Sequence, residues 1–102
     1  MKLNSFSPLP EDDELHLPEL VYWASLGNID EVKASLNAGT DVNTADDDGY
    51  SALHAAAENG YLDIVKLLVS QGANVQHKAP YTALELAEMA DQTEIVEYLK
   101  QQ

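Results

Sequence analysis

The sequence predicts an all-α fold, a solenoid of stacked helix–turn–helix pairs with projecting hairpin loops. Three observations lead there. The chain is self-similar at a spacing near 33 residues, a length that marks one supersecondary unit in a stack. Each copy holds two short segments with helical apolar periodicity, separated by a turn. The apolar face of each copy is too broad for that copy to bury alone, so stacking has to build one continuous core.

Residues 20–43 superimpose on residues 53–76 with eight of 24 positions identical, among them Leu20/Leu53, Ala24/Ala57, Gly27/Gly60, Val32/Val65 and Gly39/Gly72. A third copy follows at an offset of 31, carried by Tyr50/Tyr81, Ala52/Ala83, Leu53/Leu84, Ala56/Ala87, Ile64/Ile95, Val65/Val96 and Leu68/Leu99. The two missing residues fall between Gly72 and Tyr81, where a surface connection absorbs the change.

In the first copy, Pro18 suits the first turn of a helix, where its missing N–H is an orphan anyway. Glu19 complements the positive helix end. The helix is predicted to run to about Leu26 and stop at Gly27. In the middle copy, Ser51 is the expected cap of a helix over 52–59, with Leu53, Ala56 and Ala57 on one face. Gly60 fits a left-handed terminus, which costs glycine no steric strain. A second helix is expected from Leu62 to Gln71, its apolar positions Ile64, Val65, Leu67, Leu68 and Val69 wide enough to meet two neighbours. Gly72 ends it. In the third copy Thr82 is the expected cap of a helix reaching Ala90. Asp91 stands where the other copies have glycine, a less favourable stop. Thr93 to Lys100 forms the last helix. Small residues at Ala24, Ala56, Ala57 and Ala87 let adjacent helices approach closely. The connections between copies, rich in Asn, Asp and Gly, read as protruding hairpins.

The run Asp46-Asp47-Asp48-Gly49-Tyr50-Ser51-Ala52-Leu53-His54-Ala55-Ala56-Ala57, followed by Gly60, Ile64-Val65, Leu67-Leu68 and Gly72-Ala73, resembles an ankyrin repeat. Ser51-Ala52 stands for the family's Thr-Pro, a mild departure. The resemblance covers about Leu17 to Gln102. It implies repeats at about 17–45, 46–78 and 79–102. Glu31, Ser35, Glu88 and Lys100 replace apolar residues of the middle copy, as terminal repeats that meet water do. Residues 1–16 are expected to be an acidic segment capping the first repeat. In the first repeat Trp23 occupies the position of Ala56 and Ala87, and Leu3, Phe6, Leu9, Leu15 and Leu17 could fold over its indole. The alternative is an exposed aromatic anchor for a partner.

Composition narrows the function. Eighteen acidic groups face five lysines and no arginine, for a formal net charge of −13. Nucleic-acid binding needs cations that release counterions, and anionic membranes repel such a chain, so neither is expected as a partner. A basic protein is favoured, although net charge also serves solubility. With no cysteine, disulfides, thiolate metal sites and a cysteine nucleophile are absent together. No apolar run is long enough to span a membrane and the N-terminus lacks a secretory pattern, so a cytoplasmic location is expected. Polar end faces favour a monomer.

Candidate chemistry is sparse. Asp46-Asp47-Asp48-Gly49 invites a calcium loop, but Ala55 falls where the bidentate glutamate belongs. His16, His54 and His77 are scattered without a close pair, a poor zinc set. In the family the histidine at the His54 position ties adjacent loops together, and the resemblance implies that role here. Ser51, His54 and Asp63 could be named as a triad, yet Ser51 reads as a helix cap and nothing supplies an oxyanion hole. No enzyme activity, cofactor or metal is expected.

The resemblance implies a non-catalytic protein–protein interaction module that holds a partner on its concave face. The matching variable positions are Ser25, Leu26, Asp47, Asp48, Tyr50, Glu58, Asn59, Tyr81 and Met89. Tyr50 and Tyr81 offer flat apolar area with a polar tip. Asp47, Asp48 and Glu58 suit a cation-bearing surface. The narrower alternative is an immunity or antitoxin protein that neutralises a basic toxin such as a nuclease. An enzyme or metal protein is a distant third.

Overall fold

The computed structural model describes residues 17–102. The expected cap over 1–16 and His16 lie outside the described residues. Six helices follow one another: α1 (Glu19–Leu26), α2 (Ile29–Asn37), α3 (Ala52–Asn59), α4 (Leu62–Ser70), α5 (Ala83–Met89) and α6 (Thr93–Lys100). Each consecutive pair packs together as one unit, and α3 packs against both α1 and α5. The inner layer is therefore α1, α3 and α5. The outer helices α2, α4 and α6 touch more lightly in the same order.

The stack closes where the sequence puts alanine. Ala24, Ala56, Ala57 and Ala87 are fully buried, with Leu20, Leu53, Ile64, Val65 and Leu68 filling the space between helices. The expectation of one apolar face on α3 is too narrow. Residues Ala52 through Ala57 are all buried, because α1, α4 and α5 surround this helix. Its short side chains permit that approach. At the flanks Glu31, Glu88 and Lys100 are exposed where the middle copy has Ile64, Ala57 and Val69. Trp23 is half-buried against the core, with Tyr22 edge-on at 5.0 Å between ring centroids.

The termini follow local chemistry. Gly27 and Gly60 adopt φ of 79° and 87°, and both stop their helices. The third pair solves the same problem with Asp91, at φ 59°. An aspartate tolerates this region better than most residues. The turn starts one residue earlier than expected, since α5 ends at Met89 with Ala90 as its cap. Likewise α4 ends at Ser70, and Gln71 caps it. Ser51 and Thr82 each accept from the backbone three residues on, while His54 and Glu85 return a side-chain acceptor to the cap's own N–H. These are two reciprocal capping boxes at equivalent positions.

Candidate functional site

The inner helices and the connections before them form the candidate face. The connection over 45–51 closes as a hairpin through an antiparallel bridge between Ala45 and Ser51. Asp46 holds its tip: one carboxylate oxygen accepts the N–H groups of Asp48 and Tyr50, each at 2.9 Å. Of the three aspartates, Asp46 is thus spent on the backbone, and Asp47 and Asp48 face solvent.

His54 joins this hairpin to the next. Its Nδ1 accepts the Ser51 N–H at 3.2 Å, so the proton sits on Nε2. That Nε2–H points at the carbonyls of His77 and Tyr81, both at 3.0 Å. Burial holds the imidazole below its ordinary value near 6.5, against the opposing pull of the two carbonyls. The family role implied for His54 is the geometry observed. Although distant from it in sequence, His77 is folded so that its ring lies 5.5 Å from that of His54. His77 Nε2 in turn donates to the Gly49 carbonyl at 2.9 Å. Asn43 adds a third tie, its side-chain oxygen accepting the Asn74 N–H at 2.8 Å.

The Ser51 hydroxyl does lie 2.7 Å from His54 Nδ1. Both residues are buried, His54 Nε2 is engaged by backbone, and Asp63 accepts its own neighbour's N–H on an exposed helix start. This contact is a cap, not a nucleophile–base pair. Among the described residues no group of three or more His, Cys, Asp or Glu is arranged to hold a metal ion.

Eight of the nine candidate positions fall into three sets. Leu26, Tyr81 and Met89 are the large apolar residues most exposed among those described, at 54%, 47% and 59%. Asp47, Asp48 and Glu58 are exposed carboxylates. Ser25 and Asn59 bond back to the backbone of their own helices, the hydroxyl donating to Tyr22 O and the amide to Ala55 O. Tyr50 belongs to none of these sets. It is half-buried, stacks on His54 at 5.9 Å, and donates its hydroxyl to Glu58. Burial and then the Glu58 carboxylate push its phenol above the ordinary tyrosine value. Tyr81 and Met89 line one concavity together with Glu85 and Glu88. Sequence reasoning placed neither glutamate on this face.

A second feature went unread in the sequence although its residues are plain there. Lys33, Lys66 and Lys100 all lie on the outer helices α2, α4 and α6, and Lys78 lies in a connection. The inner helices carry Glu19, Glu58, Glu85 and Glu88 and no cation. Lys66 is further occupied by the Tyr98 ring, 5.7 Å from its Nζ. The inner face is therefore negative with apolar islands.

A family model described as "Ankyrin repeats (3 copies)" matches residues 20–102. The chain is 41% identical over 58 residues to an acyl-CoA-binding domain-containing protein 6 homolog of Dictyostelium discoideum, covering 56% of this chain and 20% of that protein. It is 47% identical over 58 residues to the human ankyrin repeat domain-containing protein 49, covering 55% of this chain and 24% of the relative. A third relative, serine/threonine-protein kinase 12 of Arabidopsis thaliana, is 41% identical over 59 residues, 58% of this chain and 13% of that protein. In each case the shared segment is a quarter or less of the curated relative.

Proposed function

This chain belongs to the ankyrin-repeat family, and we propose that it binds a basic protein on its inner face and hairpin tips without doing chemistry. Ankyrin repeats are generally protein–protein interaction modules, and the family is typically non-catalytic. The observation that carries the finer reading is the placement of the lysines. The described helical lysines sit on the outer helices, while the inner helices carry carboxylates, two of them beside Tyr81 and Met89. Apolar anchors in a charged rim are the usual anatomy of an interface. A field of this sign speeds encounter with a cationic partner more than it deepens affinity. The proposal places the chain in the cytoplasm as a monomer. A basic toxin held inactive is the narrower version, favoured by the net charge of −13.

The test is affinity capture from lysate of the native host at low and high salt, with mass-spectrometric identification. A basic protein retained at low salt, and lost when Asp47, Asp48 and Glu58 become amides, is the expected result. Its identity separates toxin inhibition from scaffolding. An acidic partner, or one indifferent to those three changes, contradicts the reading.

A further inference from the structure

We propose that the concavity bounded by Tyr81, Glu85, Glu88 and Met89 receives a single arginine side chain of the partner protein. The inference rests on the binding-module reading above and adds the chemistry of one contact.

The walls and the carboxylates supply different parts of the recognition. Tyr81 and Met89 present exposed apolar area in the lining of the concavity, on which the stem and the flat face of a guanidinium can lie. Glu85 and Glu88 are three residues apart on α5 and so lie on neighbouring positions of one helix face. They differ in their freedom. Glu85 is held in place, since its Oε1 accepts the Thr82 N–H at 2.9 Å and leaves the second oxygen for a ligand. Glu88 is exposed and has no hydrogen-bonding or ionic partner among the described residues. Lys78, in the preceding connection, neutralises neither. A planar, five-donor cation can lie on a tyrosine face and meet two carboxylates at once, whereas a compact ammonium cannot do both.

The probe is N-acetyl-arginine methylamide, titrated into the whole chain carrying 13C-methyl methionine, with the citrulline and lysine analogues as controls. The chain has two methionines, so Met1 serves as the internal reference for Met89. The arginine analogue should shift Met89 and leave Met1 in place. The neutral citrulline analogue should do nothing, and Glu88→Gln should weaken the response at least about fivefold, the scale of a charge-assisted contact near solvent. Equal shifts from citrulline or lysine, or an unchanged response in Glu88→Gln, overturn the assignment. Tyr81→Leu is the second variant, which keeps bulk while removing the flat ring, and it should also weaken the response. A captured partner that ignores Glu88→Gln and Tyr81→Leu yet needs Asp47 and Asp48 overturns the arginine site and leaves the binding reading standing. Arginine-specific shifts alongside an empty capture support the site and remove the reading beneath it.

Discussion

The hydroxyl of Tyr50 donates to Glu58 at 2.7 Å, fastening the hairpin tip to the C-terminal end of α3. Both residues belong to the candidate face, so the bond sets the shape of that face as well as its charge. Burial and the carboxylate together disfavour the phenolate. An ultraviolet titration of the folded chain should therefore show Tyr50 ionising above the ordinary tyrosine value near 10. The neutral form is the one the fold favours, so its contribution to stability is whole below the ordinary value near 10 and declines as pH rises beyond it. Tyr50→Phe should abolish the late titration and cost at most about 1 kcal/mol.

His54 gives the opposite dependence. Its folded value is depressed, so the stability it confers is present above 6.5 and is lost as pH falls below that. Urea unfolding between pH 7.5 and 5 should show a decline that His54→Gln largely removes. At neutral pH His54→Ala should cost about 2–4 kcal/mol, since it strands carbonyls and opens a cavity. His77→Ala, at an exposed site, should cost less than about 1 kcal/mol.

The three aspartates should separate by role. Asp46→Ala removes an acceptor shared by two backbone N–H groups and should cost about 1–2 kcal/mol in thermal unfolding. Asp47→Asn and Asp48→Asn should stay within about 0.5 kcal/mol, because neither side chain holds the fold. If Asp48→Asn proved as costly as Asp46→Ala, the hairpin would be held by another set of bonds.

How much of this was legible in the sequence depends on range. Gly27, Gly60, Ser51 and Thr82 act within one turn of chain, and their roles were readable one residue at a time. The burial of α3 on every side was not, because it depends on three neighbouring helices that no single periodicity reports. The contact of His77 with His54 was not legible for the same reason: the fold brings the two together across 23 positions. The segregation of lysine onto α2, α4 and α6 was visible in principle, but only after the layers were known. The Tyr50–Glu58 bond depends on the angle between hairpin and helix, and no spacing rule encodes that.

The helix stops make a paired prediction. Asp91 is the described non-glycine residue with positive φ, so Asp91→Gly should stabilise by a few tenths to about 1 kcal/mol in thermal melts. Gly27→Ala should do the reverse and by more. Its new Cβ would stand 2.5 Å from the Tyr61 ring, and φ 79° adds strain of about 1 kcal/mol. Gly39→Ala meets nothing within 4 Å and should cost only the strain.

The central claim is that the partner engages the inner face, whose helices carry no lysine. Hydrogen–deuterium exchange on the chain with and without its captured partner tests this most directly. Protection should concentrate in the 45–51 and 77–82 connections and at the C-terminal ends of α3 and α5, with α2, α4 and α6 exchanging as in the free chain. Protection confined to the outer helices, with the hairpins unchanged, would contradict the account.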